Sequence, residues 1–594
     1  MIPILRKSPG SAATVHASAK INAFNAPQLP VPRLPSYRLF WCSLSLFLSM
    51  TTAYALAAPP LLAVDHKKIN QVFAQYTNDT PGCALGIYRN GKVLFARGYG
   101  LAELSHSVPI KPHTVFDIGS TSKQFTALAI ALLAHDGKLS LQDRVRQYLP
   151  ELSAAHDNIT LEQMLWHTAG LRDYNELLLM AGYAEEDPTG EAAALRVVRA
   201  QAKLNFVPGS QFSYSNSGYF LAALVAERVS GMGLDAFLQQ RVFQPLRMKV
   251  SHVRTDHTQV VSRRATAYRQ TDLGYAINMA NWNQPGDGAV QSSVQDLVLW
   301  DAELANPHVL PPAVVRALQT PGQLANGERL SYALGLEIDR YRGLKRILHD
   351  GSWAGYRATY MRFPEQQLGL ALTCNTAEAD PNALVEQVVD IVLSRHVLPD
   401  TRRKSARKAT TPNAVAIDAS GFVGQYLEDQ GAEVIRIALN SQGNLLWQHA
   451  EGATVISTVA QDVVQTPSGM TLLQLTPHGM VMRSCHDGSV KKFARLAPYH
   501  ANKADTAAMV GSFVSEELGV TWDVQQHKGL ALQLQSRGLA NPLVQSVAPD
   551  LWRGPDFLLR VQRNAQDNIS GLVYDSERVR GINFIRINPD FEPR

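Results

Sequence analysis

A chain of 594 residues, 45% hydrophobic and 18% charged, has the balance of a soluble globular protein and exceeds what one core supports, so roughly three to five folding units are expected. The formal charge of +5 is matched by Arg6, Lys7, Lys20, Arg33 and Arg38, which the first 57 residues carry without a single acid, so the rest of the chain is balanced. A neutral body leaves no electrostatic ground for nucleic acid or an anionic membrane surface as a partner.

Arg33 and Arg38 precede the apolar run 39–50, and Ala55-Leu56-Ala57 supplies small residues for cleavage after Ala57. Residues 1–57 therefore read as a signal peptide and the product as exported, periplasmic or secreted. Apolar residues continue to Val64, which makes an uncleaved membrane anchor the alternative. Cys42 lacks the preceding small residues of a lipidation site. Beyond it stand Cys83, Cys374 and Cys485, an odd set that is no disulfide scaffold. Cys83 and Cys374 sit in strand-like stretches, where a disulfide and buried free thiols are both open.

A helical opening over 68–75 leads to two strand-like runs around Asn90-Gly91, the signature of a hairpin. Helical patterns dominate from Ser120 to about Leu304, including 161–166, 217–230 and 294–304. Strand signals return at 346–348, 358–363 and 368–374, followed by a helix over 381–393. Strands at both ends with helices between them predict an α/β sandwich over 65–397, an antiparallel sheet flanked by helices that joins the two ends of the domain. Residues 398–414 form a basic, polar linker. Short alternating strands follow, with almost no helix signal, and the region repeats: Val423-Gly424-Gln425-Tyr426 matches Val510-Gly511-Ser512-Phe513, and Phe493-Ala494-Arg495 matches Phe584-Ile585-Arg586. Two small antiparallel β-barrel modules, 415–498 and 505–594, are expected.

The stretch 117–125 holds Ser120 and Lys123. If a helix starts at Ser120, three-residue spacing puts the hydroxyl and amine one turn apart on one face, a nucleophile with its base. Phe125, Leu128, Leu132 and Leu133 keep helical spacing, and Gly137 supplies the stop. Ser-x-x-Lys alone says little, because it recurs at Ser405/Lys408 and Ser489/Lys492; an N-cap with a solvated lysine is the ordinary explanation. Tyr214-x-Asn216 follows Pro208-Gly209 and precedes a helix, so a proton-relaying phenol and a carbonyl-holding amide share a loop. The same spacing at Tyr76/Asn78 and Tyr88/Asn90 is noise. His349-x-Gly351, then Ser352, lies in a glycine-rich bend between strand-like runs, where Gly351 lets a strand edge approach an acyl group and the Ser352 N–H faces it. His486/Gly488 and His527/Gly529 repeat that pattern without context.

Taken in order, Ser120-x-x-Lys123, Tyr214-x-Asn216 and His349-x-Gly351 resemble the three motifs of the serine β-lactamase and penicillin-binding protein superfamily. The Tyr-x-Asn and His-x-Gly forms are similar to the branch of class C β-lactamases, D-alanyl carboxypeptidases, D-aminopeptidase and related esterases. Leu165-Trp166-His167-Thr168-Ala169-Gly170 and Gly288-Ala289-Val290 support the match. The resemblance implies a β-lactamase-like fold over 65–397. It also implies that Ser120 attacks, Lys123 is the base, Tyr214 passes the proton on, and the N–H groups of Ser120 and Ser352 hold the oxyanion. Asn216 and His349 line the substrate pocket, with Gly351 at its strand edge. Where many relatives carry lysine in the third motif, this chain has histidine, which is largely neutral near pH 7 and weakens the hold on a substrate carboxylate.

The expected function is an exported serine hydrolase acting on an amide or ester of a small molecule or peptide without metal or cofactor. A peptidase or amidase of the D-aminopeptidase or D-alanyl carboxypeptidase type leads. A carboxylesterase or weak class C-like β-lactamase is the alternative, and a penicillin-binding-like module without turnover is the non-enzymatic one. For the barrels, a passive appendage competes with a loop sent over the cleft.

Overall fold

The computed structural model describes residues 64–587 apart from 185, 399–418, 430, 450–451, 461, 467–470 and 485–489. The expected signal peptide, most of the linker and Cys485 lie outside the described residues.

The first unit is built on a six-stranded antiparallel sheet. Its strands are β1 (Cys83–Arg89), β2 (Lys92–Tyr99), β3 (Glu337–Tyr341), β4 (Leu344–Trp353), β5 (Tyr356–Phe363) and β6 (Leu368–Cys374), in the order β3-β4-β5-β6-β1-β2. The first strands thus pair with the last, as expected for a sheet joining the domain's ends. Side chains alternate across β1: Cys83, Leu85 and Ile87 enter a core with helices α1 (His66–Val72) and the C-terminal Pro381–Val392, whereas Ala84 and Tyr88 face the larger helical core. Position 83 lies directly opposite 374, and the two sulfurs are bonded at 2.08 Å.

On the second face stand α2 (Lys123–His135), α3 (Tyr174–Met180), α4 (Asn216–Ser230) and α5 (Val294–Ala305). Sequence periodicity gives α2 one apolar stripe, yet every residue from Lys123 to Leu133 is buried, so this helix runs through the core. A 3-10 turn, Gly119–Ser122, precedes it, and the α-helix begins at Lys123 instead of Ser120.

Two closed antiparallel eight-stranded barrels follow, running from Gly424–Glu428 to Val490–Arg495 and from Gly511–Ser515 to Ile582–Arg586. The sequence repeat marks equivalent closures. Arg495 lies over the Tyr426 ring and donates to the carbonyls of Gly421 and Val423; Arg586 lies over Phe513 and donates to those of Ala508 and Val510. In the first barrel Tyr426, Ile435, Ile437, Leu473 and Phe493 fill the interior, so it is a packed core and not a pore. Between the barrels stands a helix that escaped the sequence pattern, Lys503–Met509, held by a capping box between Asn502 and Asp505.

Replacing Cys83 and Cys374 together by alanine is expected to lower the unfolding free energy by about 2–4 kcal/mol, because the link constrains a long loop of the unfolded chain. Denaturant titration reads the change, and an unmoved midpoint would show that the link carries no stability.

Candidate active site

The nucleophile turn is fixed from both ends. Phe116–Asp117 pairs with Val290–Ser292, and the Asp117 carboxylate accepts from the Gly119 N–H (2.9 Å) and the Gln291 side chain (2.7 Å). Gly119 has φ of 51°, and a Cβ there would meet the Ser352 nitrogen at 2.8 Å. A Cβ on Gly351 would stand 2.0 Å from the Ile118 carbonyl oxygen and 3.1 Å from the Ser120 nitrogen. Both glycines therefore let the Ser120 turn press onto β4. β4 runs unbroken through Trp353, so His349, Gly351 and Ser352 are strand residues rather than part of a bend. Pairing with β3 ends at Leu348, which leaves the following edge of β4 to the cleft.

Lys123 is fully buried, and its Nζ donates to Ser120 Oγ (2.9 Å), Asn216 Oδ1 (2.8 Å) and the Asp287 carbonyl oxygen (2.8 Å). Three acceptors suit three ammonium protons. Two of them only accept, so once the amine is neutral its two N–H bonds point at Asn216 and Asp287 and its lone pair at the Ser120 hydroxyl. Burial brings the Lys123 amine down to about 8, outweighing the pull of Asp287 and Asp173. The same burial raises the Asp287 carboxyl to about 6 against Lys123; Tyr174 donates to it at 2.9 Å.

Tyr214 packs beside this amine, with Lys123 Nζ 5.0 Å from its ring centroid. Burial lifts the phenol well above its ordinary range, while the Ser120 hydroxyl and the Arg578 charge favour the phenolate. Asn216 opens α4; its N–H donates to Asp173 Oδ2 (2.7 Å), and with Oδ1 on Lys123 its amide nitrogen remains for the cleft. His349 sits deeper than a lining residue. Its Nδ1 lies 2.6 Å from the Asp350 carbonyl, which can only accept, so Nδ1 carries the proton and Nε2 accepts from the Tyr332 hydroxyl at 2.9 Å. Burial lowers the ring to about 4, so it is neutral. Tyr332 takes the lining position expected of His349, and Gly351 acts through close packing.

The cleft of about 620 Å³ is bordered by Ser120, Tyr214, Asn216, Ser352, Trp353 and, unexpectedly, Arg578 of the second barrel. Other functional neighbours escaped the motif search. His167 has φ of 58°, accepts the Ser215 N–H at Nδ1 (3.1 Å) and supports the Tyr214 ring at 4.2 Å between centroids. The stretches around His167 and Gly288 were the available signals for it and for neighbouring Asp287. No group of three or more His, Cys, Asp or Glu arranged to hold a metal occurs among the described residues.

Residues 69–392 match the family model described as Beta-lactamase, over half of the chain. The chain belongs to the beta-lactamase family. Along with this beta-lactamase match, it is 25% identical to a D-aminopeptidase of Cereibacter sphaeroides over 80% of this chain and 87% of that one. It is 23% identical to a D-aminopeptidase of Brucella anthropi, over 85% and 95% of the two chains. Among solved structures, the octameric penicillin-binding protein homologue from Pyrococcus abyssi superposes with a TM-score of 0.53 at 21% identity, covering 72% of this chain and all of that one, a likeness of fold. The beta-lactamase-family protein is a serine hydrolase.

Gly351→Ala should force the nucleophile turn off β4 and slow labelling of Ser120 by a fluorophosphonate by at least about 10²-fold, the usual penalty for a misplacement near 1 Å. A variant with unchanged circular dichroism and an unchanged labelling rate would show that the close approach is dispensable.

Proposed function

We propose that this protein is an exported hydrolase that cleaves an amide through an acyl-enzyme on Ser120, a peptidase or amidase of the D-aminopeptidase or D-alanyl carboxypeptidase type. The observation that carries the reading is the buried Lys123 amine on the Ser120 hydroxyl, with its remaining hydrogen bonds spent on acceptor-only groups. The relatives named D-aminopeptidase, whose matches cover 80% and 85% of this chain and so extend beyond the 69–392 family match, support the substrate class. Export rests on the arginines and apolar run before Ala57.

In this mechanism Ser120 Oγ bonds to the carbonyl carbon as its proton passes to Lys123 Nζ, and the N–H groups of Ser120 and Ser352 hold the oxyanion. Collapse of the intermediate breaks the carbon–nitrogen bond; the proton reaches the leaving amine by way of Tyr214. Water then attacks the ester, returning the serine hydroxyl and releasing the acid. Asn216 orients the substrate amide, and His349 keeps Tyr332 in the wall.

Ser120→Ala should abolish both turnover of D-amino-acid amides and fluorophosphonate labelling; hydrolysis that survives would sink the assignment. Lys123→Ala should slow acylation by about 10² to 10⁴. Because the base is the neutral amine, kcat/KM should rise with pH as Lys123 loses its proton and level off above about pH 8. A profile that falls over that range, or a rising limb that persists in Lys123→Ala, would assign the base elsewhere.

A further inference from the structure

The loop 576–581 of the second barrel joins the strands Ile569–Ser576 and Ile582–Arg586 and is pinned to the catalytic unit by its main chain. The Arg578 carbonyl accepts from the Asn205 side chain (2.8 Å) and the Asp173 N–H (3.2 Å); the Arg580 N–H donates to Asn205 Oδ1 (2.9 Å), and Arg172 donates to the Gly581 carbonyl (3.2 Å). Around it, Arg172 pairs with Glu517 (2.8 Å), the Tyr574 hydroxyl donates to Glu176 (2.7 Å), and Trp522 donates to the Met180 carbonyl (3.2 Å). With its backbone held, the Arg578 side chain enters the cleft and lies 5.2 Å over the Tyr214 ring.

Arg578 keeps exposed surface as a residue, while its guanidinium is largely desolvated against Tyr214 and makes no hydrogen bond or ion pair with any described residue. Of the carboxylates whose charges act on Arg578, which are Asp173, Glu577 and Glu176, two are already hydrogen-bonded. Asp173 accepts from the N–H groups of Asn175 and Asn216, and Glu176 accepts from Tyr574. The other arginine bordering the cleft, Arg254, is 2% exposed and reaches only the Trp282 carbonyl. His349 is neutral and stands behind Tyr332. Among the described residues, Arg578 is therefore the arginine that borders the cleft with exposed surface, delivered by a separate module, and a planar fork of free donors fits a carboxylate in two parallel hydrogen bonds.

We propose that Arg578 binds a carboxylate of the substrate, so that the second barrel sets a preference for anionic substrates at the Ser120 centre. The inference rests on the acyl-enzyme reading above. The carboxylate belongs either to the leaving group, as a peptide C-terminus, or to the side chain of the acyl residue, and two matched pairs separate these sources. D-alanyl-D-alanine against its C-terminal amide tests the first; the p-nitroanilides of D-aspartate and D-asparagine test the second.

The full-length protein should favour the charged member of one pair by about 10- to 100-fold in kcat/KM, the range expected for a charge-assisted bidentate contact. In Arg578→Met that ratio should collapse towards one, in Arg578→Lys part of it should survive, and in Arg578→Glu it should invert. A wild-type ratio near one in both pairs, or a ratio that Arg578→Met leaves intact, overturns the proposal. So does an equal loss for charged and neutral members, which would mean that Arg578 acts on Tyr214 alone. Fluorophosphonate labelling and a melting curve accompany each variant: a labelled, folded Arg578→Met with unchanged ratios defeats this inference only, whereas wild-type protein that fails to label defeats the acyl-enzyme reading.

Discussion

A lysine amine with no exposed surface must either find three acceptors or lose its proton, and most of the catalytic unit is arranged around that demand. Lys123 finds its acceptors on three separate pieces of chain: the nucleophile turn, the first residue of α4 and the carbonyl of Asp287. Each piece is braced in turn. Asp117 holds the turn, Asp173 holds Asn216, and Tyr174 holds the Asp287 carboxyl. Burial destabilises the charged amine while the acceptors retain it, and the balance brings the amine down to about 8. Moving any one piece would strand a hydrogen-bonding group in the core, so packing and proton chemistry are constrained by the same contacts.

The parts of this arrangement that lie close in sequence were legible there. Ser120 and Lys123 are one turn apart, and that holds whether the turn is 3-10 or α, which explains why a helix start misplaced by three residues did no harm to the reading. Strands at the two ends of the unit, with helices between them, were enough to suggest a sheet that joins those ends. The repeated Val-Gly-x-aromatic and Phe-x-Arg segments gave two barrels, since an arginine of the last strand clasps an aromatic of the first in both.

Contacts made across long separations were not legible. Nothing near His349 shows that Tyr332 will cover it, or that the ring's proton will be claimed by the Asp350 carbonyl, so a residue whose type suggested a pocket wall became its support. Gly351 looked like room for substrate; the room is taken by the Ile118 carbonyl. Arg578 stands far from every motif in the chain, in a turn between two unremarkable strands, and only the docking of the second barrel on α3 brings it to Tyr214. The helix Lys503–Met509 escaped for a different reason: at two turns it carries too little periodicity to stand out, and its capping box does the work of defining it.

The bond between Cys83 and Cys374 has a topological meaning beyond the two strands that it joins. Every residue assigned a part in the chemistry, from Ser120 to Ser352, falls inside the covalent ring that it closes. Arg578 falls outside. A single cut in any surface loop of the ring would leave both fragments attached and the nucleophile, amine and phenol still members of one molecule. A cut between the ring and the second barrel would leave that barrel held by noncovalent contacts alone. The reacting groups are thus covalently enclosed, while the cation beside them is a detachable visitor.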